Sequence, residues 1–202
     1  MSDAGAREKW NRRYAEPGFE PFPDRPSEWL AENRELLAGR GGLRALDVAC
    51  GDGRNALYLA RLGFAVDAVD VSDVAVTALA AAAADRGLAV EARRMDLEAE
   101  ALPAAHYDVV VQINYLQRDL FGALERALTP GGILVVETVT RAHVDELEKR
   151  FDLRFVLERG ELLHAFPDLY VRHYREGVTE RGGRPRGVAS LVAERRLTPA
   201  RG

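Results

Sequence analysis

The sequence predicts an α/β protein with a Rossmann-like, doubly wound sheet of seven mostly parallel strands. After Leu43, short apolar runs typical of buried strands alternate with segments of helix length, which implies right-handed βαβ units and a parallel sheet. Two helices precede the first strand, so we expect appended N-terminal helices. The last two strands have no helix between them, which predicts an antiparallel C-terminal strand.

The first forty residues predict these two appended helices. Ala6 to Ala15 has helix-forming composition, and Trp10 and Tyr14 lie four residues apart, on one face. The proline-rich stretch Glu16 to Pro26 cannot form a regular helix. Ser27 caps a second helix, with Glu28 in its first turn and Gly39 near its end.

Five strands and three helices make up the predicted repeat. The strands are Leu43 to Ala49, Phe64 to Val69, Ala89 to Arg93, Tyr107 to Ile113 and Ile133 to Val139. The helices are Arg54 to Leu62, Ser72 to Ala84 and Leu116 to Leu128.

The last third of the chain predicts a different arrangement. Helices are expected over Arg141 to Arg150 and Gly160 to Phe166. Leu169 to Arg175 and Val188 to Arg195 then form an antiparallel pair, joined by a long loop from Gly177 to Gly187.

Composition limits the class of protein. At 202 residues the chain is most simply one domain. We divide it into a helical cap (1–40), a cofactor-binding core (41–140) and an acceptor-side region with the C-terminal strand pair (141–202). The net charge of −4 argues against a broad nucleic-acid surface, and the single cysteine fits a reducing cytoplasm. No apolar run is long enough to predict a membrane span or a signal region.

A glycine turn follows the first strand. The stretch Gly51 to Ala56, GDGRNA, satisfies the dinucleotide pattern G-x-G-x-x-[G/A]. A dinucleotide, however, would bring its negative pyrophosphate close to Asp47 and Asp52. Two unit charges about 4 Å apart interact by about 4 kcal/mol at an effective dielectric near 20, so these acids favour a cationic ligand. S-adenosylmethionine, a nucleoside with an ammonium and a sulfonium, fits both the glycines and the acids.

Two further acids end the next strands, where ligands bind in an open parallel sheet. Asp70 ends the second strand. Its spacing along the sequence from the glycine turn is the one at which an acid reaches both ribose hydroxyls. Asp96 follows the third strand and would accept a hydrogen bond from an adenine amino group, with Met95 and Leu97 beside the ring. One such acid is usually a turn or helix cap. Three around a glycine turn favour a binding site.

The motifs DVACGDGRNALYLA, VDAVDVS, RRMDLE, YDVVVQINYLQRDLF and LTPGGILVVET, as an ordered set, resemble class I S-adenosylmethionine-dependent methyltransferases. The class pattern D-x-G-x-G-x-G has glycine where this chain has Ala49, a mild change that should leave the turn intact. By this resemblance Ala49, Cys50, Gly51 and Gly53 line the methionine portion of the cofactor, with Cys50 contributing mainly its backbone. The complete predicted cofactor set is Arg13, Asp47, Ala49, Cys50, Gly51, Gly53, Asn55, Asp70, Val71, Met95, Asp96, Leu97 and Asn114.

A narrower likeness concerns the ends of the chain. KWNRRY, GDGRNALYLARLGFAVDAVDVS and ERGELLHAFPDLYVRHYREG are similar to the small tellurite-resistance-type methyltransferases. In those proteins the N-terminal helix closes over the cofactor, which implies that Trp10, Arg13 and Tyr14 reach the site and that Arg13 pairs with the cofactor carboxylate. The alternative is that Trp10 and Tyr14 only pack the helix against the core.

The sequence assigns no catalytic base. Tyr115, which follows the fourth strand, and His164 and His173 in the acceptor-side region are the weak candidates. Arg118, Arg154 and Tyr174 would line the same pocket. No group of His, Cys, Asp or Glu has metal-ligand spacing, so no metal is expected.

These observations predict a cytoplasmic, monomeric or weakly dimeric enzyme that transfers a methyl group from S-adenosylmethionine to a small molecule by in-line displacement. No nucleic-acid or membrane partner is expected. The alternatives are a non-catalytic S-adenosylmethionine-binding protein and an NAD(P)-dependent oxidoreductase.

Overall fold

The computed structural model describes residues 3–16, 25–40 and 42–196. One seven-stranded sheet organises the chain, in the order β3-β2-β1-β4-β5-β7-β6. The five parallel strands are β1 (Arg44–Val48), β2 (Ala65–Asp70), β3 (Val90–Arg94), β4 (Tyr107–Ile113) and β5 (Leu128–Val139). β7 (Arg184–Arg195) is antiparallel to both β5 and β6 (Leu169–Arg181). The predicted fold class is therefore confirmed.

Helices cover both faces of the sheet. The helices are α1 (Asp3–Ala15), α2 (Glu28–Glu32), α3 (Arg54–Arg61), α4 (Asp73–Asp85), α5 (Phe121–Ala127), α6 (Arg141–Asp145) and α7 (Glu161–His164). Alternating residues of β4 separate the two layers: Val109 and Val111 pack with α2, α3 and α4, whereas Val110 packs with α5 and α7. Since strands buried on both faces must be apolar throughout, this layering explains the continuous runs of Val, Ile and Leu.

The order of the strands positions the site. The chain turns from β3 back across the sheet to β4, so β1 and β4 are neighbours from which the strand order runs in opposite directions. Ligands of such sheets bind at the carboxyl ends of the strands beside this switch. The glycine turn after β1 and the residues after β4 therefore share one edge, which we call the carboxyl edge.

Five predicted elements differ from the structure. The second helix ends at Glu32, and the chain continues as a 3₁₀ turn (Arg34–Leu36). Asn33, between the two, donates from Nδ2 to Trp29 O. The helix expected over Leu116 to Leu128 begins with another 3₁₀ turn (Arg118–Leu120). The helix expected over Arg141 to Arg150 ends at Asp145.

The fourth difference is the C-terminal hairpin. We expected a long loop from Gly177 to Gly187, but β6 and β7 continue to Arg181 and Arg184 and meet in a two-residue turn. Gly182 and Gly183 in that turn have φ of 58° and 72°, the conformation that two-residue hairpins favour. β5 likewise begins before the predicted turn, at Leu128. The proline-rich segment mostly lies outside the described residues.

Candidate active site

The turn after β1 is wound in left-handed conformations. Ala49, Gly51 and Gly53 have φ of 53°, 57° and 86°. Cys50 N donates to Val69 O and Gly53 N to Cys50 O, which fixes the turn between β2 and the start of α3. Ala49 thus adopts a backbone conformation that costs a residue with a Cβ about 1–2 kcal/mol.

The two glycines face other side chains of the protein. A Cβ on Gly51 would lie 2.5 Å from the hydroxyl oxygen of Tyr14 in α1. A Cβ on Gly53 would lie 2.7 Å from Leu79 Cγ and closer still to both methyl carbons of that residue. The sequence argument assigned both glycines to the approach of a ligand. The structure shows that Gly53 also permits close packing of α4.

Asp47 is buried in the turn. It is 1% exposed, and its Oδ2 accepts a hydrogen bond from Ala56 N at 3.0 Å. Because Gly53, at the N-cap of α3, has no side chain, Asp47 takes the capping role for that helix. Burial raises the pKa of Asp47 to about 7, against the lowering effect of the Ala56 N–H and of Arg54. Its negative charge near neutral pH is therefore weaker than the sequence argument assumed.

Asp70 links β2 to the glycine turn. Its Oδ2 accepts from Gly51 N and its Oδ1 from Ser72 N, both at 2.9 Å. Burial raises the pKa of Asp70, while these backbone N–H groups oppose the rise. Each carboxylate oxygen can accept a second hydrogen bond, so the side chain can still hold a ligand hydroxyl.

Asp96 lies at the same edge, after β3. It is 9% exposed, and its Oδ1 accepts from Glu98 N at 2.9 Å. Its neighbours Met95 and Leu97 are buried in the core. Val71, between Asp70 and Ser72, is half-buried. The structure thus brings the acids of three successive strand ends to one edge, as predicted.

Asn55 and Cys50 have structural contacts. Asn55 Oδ1 accepts from Ser27 N at 2.8 Å, which joins α3 to the start of α2. The Cys50 thiol is buried beside Gly51 O, and burial raises its pKa well above the ordinary value, followed by the effect of Asp47. A protonated, buried thiol is not a nucleophile.

The N-terminal helix α1 lies across the start of α4. Asn11 Oδ1 accepts from Ser72 Oγ at 2.7 Å, and Asn11 Nδ2 donates to Asp73 Oδ2 at 3.2 Å. Arg7 Nε forms an ion pair with Asp73 at 2.5 Å. Because these contacts hold the helix in place, the hydroxyl of Tyr14 is carried to the glycine turn.

The other two residues expected from α1 are not placed at the turn. Arg13 is exposed and pairs with Glu16 at 3.2 Å. Trp10 is 40% exposed and stacks on Tyr14, with ring centroids 6.0 Å apart. Burial raises the pKa of Tyr14, followed by the charges of Asp70 and Asp52, so this phenol keeps its proton.

The three weak catalytic candidates do not converge. Tyr115 is at the carboxyl edge, where its hydroxyl donates to Gln117 Oε1 at 2.6 Å, and burial raises its pKa. His164 is exposed, with Nδ1 2.8 Å from Gly160 O in its own helix. His173 lies in the edge strand β6, opposite Val192, and its Nδ1 contacts Asn33 Oδ1.

The remaining residues expected in the acceptor pocket form local pairs. Arg118 pairs with Glu161 at 2.6 Å, Arg154 pairs with Asp152 at 2.6 Å, and the Tyr174 hydroxyl donates to Glu176. These contacts hold the three side chains against neighbouring residues of the acceptor-side region.

Three residues at or near the carboxyl edge were missed by the sequence argument. Gln112 is fully buried in β4, and its Oε1 has no hydrogen-bond partner in the described structure. Glu137 in β5 is 4% exposed and accepts hydrogen bonds from Arg181 and from Ser190 Oγ. Arg186 in β7 donates to Asn114 Oδ1 at 3.2 Å. Polar residues inside the apolar runs VVVQI and LVVETV were the available signal for the first two.

Comparison with known proteins finds a family match that includes the residues of this edge. Residues 45–132, from β1 into β5, match the family model described as "Methyltransferase domain". Residues 45–132 are therefore similar to a methyltransferase domain. The match begins one residue after the start of β1 and includes the glycine turn and the residues that follow β2, β3 and β4.

Individual relatives agree with the methyltransferase domain. The chain is 35% identical to the ubiquinone biosynthesis O-methyltransferase of Caulobacter sp. (strain K31), over 50% of the chain and 42% of that relative. The chain therefore covers less than half of that protein.

Solved structures show the same fold. TehB from Haemophilus influenzae aligns with a TM-score of 0.67 at 18% identity, over 95% of this chain and 67% of that one. Geranyl diphosphate C-methyltransferase from Streptomyces coelicolor A3(2), solved with S-adenosyl-L-homocysteine, aligns with a TM-score of 0.62 at 17% identity, over 82% of this chain and 77% of that one.

The methyltransferase domain narrows the earlier alternatives. The family match is to a methyltransferase domain, and it gives no support to a dinucleotide-dependent oxidoreductase or a non-catalytic binding protein. Within residues 3–16, 25–40 and 42–196, no helix has the length and apolar character to cross a membrane. The same ranges contain no cluster of three or more His, Cys, Asp or Glu suited to a metal ion.

Proposed function

We propose that this protein transfers a methyl group from S-adenosylmethionine to a small-molecule acceptor. The observation that carries the proposal is the geometry of Asp70. Its carboxylate, at the end of β2, is held by Gly51 N of the glycine turn and by Ser72 N, and it retains two acceptor positions for ribose hydroxyls. Gly51, which has no side chain, would let the methionine portion of the cofactor approach the turn. Asp96 would accept a hydrogen bond from the adenine amino group.

S-adenosylmethionine supplies a methyl group on a positively charged sulfur, which leaves as a neutral sulfide when the acceptor attacks in line. The task of the protein is to hold donor and acceptor in this geometry, and such positioning can supply about 7–11 kcal/mol of the barrier. Tyr115 keeps its proton, and His164 is exposed and bonded within its own helix. We therefore propose an acceptor that needs little help from a base, such as a thiolate, an ionised phenol or a chalcogen oxyanion.

Several finer predictions belong to this proposal. The cofactor set from Arg13 to Asn114 is proposed as the binding surface, although Arg13 must leave Glu16 to take part. The division into a cap (1–40), a core (41–140) and an acceptor-side region (141–202) is supported by the position of α1 and α2 outside the repeat. A monomer or weak dimer in a reducing cytoplasm remains our prediction from composition.

Calorimetric titration with S-adenosylhomocysteine tests the proposal. We expect binding to the wild type and at least tenfold weaker binding to Asp70→Ala, because a charge-assisted hydrogen bond contributes about 1.5–3 kcal/mol. Asp52→Ala should weaken binding less. Absence of binding at millimolar ligand would refute the proposal, and equal losses in the two variants would remove the ribose assignment. Thermal unfolding of both variants controls for loss of fold.

Two further experiments address the alternatives. Fluorescence titration with a reduced nicotinamide dinucleotide should give no saturable binding. Incubation with labelled S-adenosylmethionine and a panel of thiols, tellurite, selenite and phenolic acids should give a methylated product, whereas cofactor binding without any product across the panel would favour the non-catalytic alternative.

A further inference from the structure

Arg186 has no acidic partner among the residues that the structure describes. The residue is half-buried near the tip of the C-terminal hairpin, and its one hydrogen bond within the described residues goes from Nη1 to Asn114 Oδ1 at 3.2 Å. No carboxylate in the described ranges forms an ion pair with it. By contrast Arg181, on the partner strand of the hairpin, pairs with Glu137 at 2.8 Å. The remaining N–H donors of Arg186 are therefore available to an anion.

The backbone beside Arg186 is fixed in place. Gly187 N donates to His143 Nδ1 at 3.3 Å, and Gly187 O accepts from Thr140 N at 3.1 Å. A Cβ on Gly187 would lie 2.6 Å from His143 Cα, so the strand approaches α6 as closely as a glycine allows. Since Nδ1 of His143 accepts a hydrogen bond, the neutral ring carries its proton on Nε2 as a donor.

Two side chains that interact electrostatically with Arg186 are His143 and Arg54, a neutral donor and a cation. Burial lowers the pKa of His143, and the charges of Arg186 and Lys149 lower it further. Burial lowers the pKa of Arg54 as well, and Arg186 adds to this effect against the acids Asp52, Asp47 and Glu137. Two neighbours of Arg186, His143 and Arg54, therefore carry no negative charge, and the carboxylate of Glu137 in β5 is held by Arg181 and Ser190.

Asn114 ties Arg186 to the site. It follows β4 in a left-handed conformation, with φ of 60°, and its N–H donates to Glu137 O at 2.8 Å. Its side chain holds one guanidinium nitrogen, and four of the five N–H donors of Arg186 stay outside this bond. A planar guanidinium with adjacent free N–H groups matches a carboxylate in bidentate geometry.

We propose that Arg186, positioned by Asn114, binds a carboxylate at the carboxyl edge. Two carboxylates could reach this place: the one on the methionine end of the cofactor, and one carried by the methyl acceptor. Arg13, which resemblance assigned to the cofactor carboxylate, is instead exposed and paired with Glu16. The inference rests on the proposed function for its ligands, and on geometry alone for the anion subsite.

Three variants and two probes test this subsite. Arg186→Gln removes the charge, and Arg186→Lys keeps the charge without the planar fork. Arg184→Gln is the matched control, because Arg184 is exposed on the same strand two residues earlier. Each protein is titrated with S-adenosylhomocysteine, and separately with benzoate and its uncharged analogue benzamide, at constant ionic strength.

The expected result is at least a tenfold loss of carboxylate affinity in Arg186→Gln, partial recovery in Arg186→Lys and no change in Arg184→Gln. A loss confined to S-adenosylhomocysteine assigns the subsite to the cofactor. Unchanged S-adenosylhomocysteine affinity, with benzoate preferred over benzamide on the saturated wild type and lost in Arg186→Gln, assigns it to the acceptor.

Two outcomes would overturn the inference. One is wild-type affinity of Arg186→Gln for both carboxylates, with no preference for benzoate over benzamide. The other is an equal loss in Arg184→Gln, which would indicate a general charge effect. If the wild type fails to bind S-adenosylhomocysteine, the proposed function fails, while the benzoate titration of the free protein still decides the subsite.

Discussion

Replacing Gly53 by alanine tests whether this motif glycine serves the packing of the turn. Gly53 has φ of 86°, and an added Cβ would overlap the side chain of Leu79. Leu79 is completely buried in α4, so its side chain has little room to move. Two separate costs are therefore expected, one from the backbone and one from the overlap.

Gly42→Ala separates the two costs. Gly42 also has φ of 86°, but a Cβ there would meet nothing within 4 Å. We expect Gly42→Ala to destabilise the protein by about 1 kcal/mol, the cost of a left-handed alanine. Gly53→Ala adds overpacking, which costs about 1–3 kcal/mol, so its total should be about 2–4 kcal/mol. For a chain of this length, each kcal/mol lowers the melting temperature by about 2–4 °C.

Urea unfolding of four variants gives the measurement. Gly53→Ala, Leu79→Ala and the double variant form a cycle, with Gly42→Ala as the backbone control. Leu79→Ala alone should cost about 2–5 kcal/mol, and the double variant about 1–3 kcal/mol less than the sum, because the new methyl group occupies space left by Leu79. Equal losses in Gly53→Ala and Gly42→Ala, or an additive cycle, would refute the packing role.

Three further changes have defined outcomes. Asp47→Asn should be more stable than the wild type at pH 8 by at most about 4 kcal/mol, because the folded pKa of about 7 lies above the ordinary 3.8. The stability that the protonated carboxyl gives the wild type is fully present below pH 4 and is lost as the pH rises through 7. Urea unfolding should therefore show the difference in stability between the two proteins closing towards pH 4, and a difference independent of pH would contradict this. Asn11→Ala should speed hydrogen exchange in α1 about tenfold without changing β1–β5, since Asn11 holds that helix to Ser72 and Asp73, whereas the exposed Arg12→Ala should change neither. Ala49→Gly should raise the free energy of unfolding by up to about 1 kcal/mol, because it removes an alanine from a left-handed conformation. Ala105→Gly, at an exposed site with φ of 48°, should have the same effect. A lower melting temperature of both variants in thermal unfolding would show that backbone strain is absent.

Local patterns determined most of the fold. The apolar runs of β1 to β5, the helix-length spacers and the hydroxyl caps at Ser27 and Ser72 are signals within a few residues. Apart from the starts of β5 and α5, each was predicted within about a turn of its observed position. The acids after β1, β2 and β3 could be placed at one edge because parallel strands carry their carboxyl ends together.

Local patterns failed where distant contacts compete with propensity. The second helix breaks at Asn33, which bonds to Trp29 O and to His173, 140 residues later. The hairpin strands extend to Arg181, whose guanidinium donates a hydrogen bond to the carboxylate of Glu137 in β5. The two-residue Gly-Gly turn was present in the sequence, but only the pairing partners show that the strands reach it.

The sequence by itself determined a parallel α/β core, a glycine turn and the acids that favour a nucleoside cation, because these depend on periodicity and on strand ends. Only the tertiary structure decided that Gly53 yields space to Leu79, that burial weakens the charge of Asp47 and that Arg186 meets Asn114 across 72 residues of chain. Desolvation and side-chain contact are set by which segments meet in space, and a linear pattern carries no direct record of that.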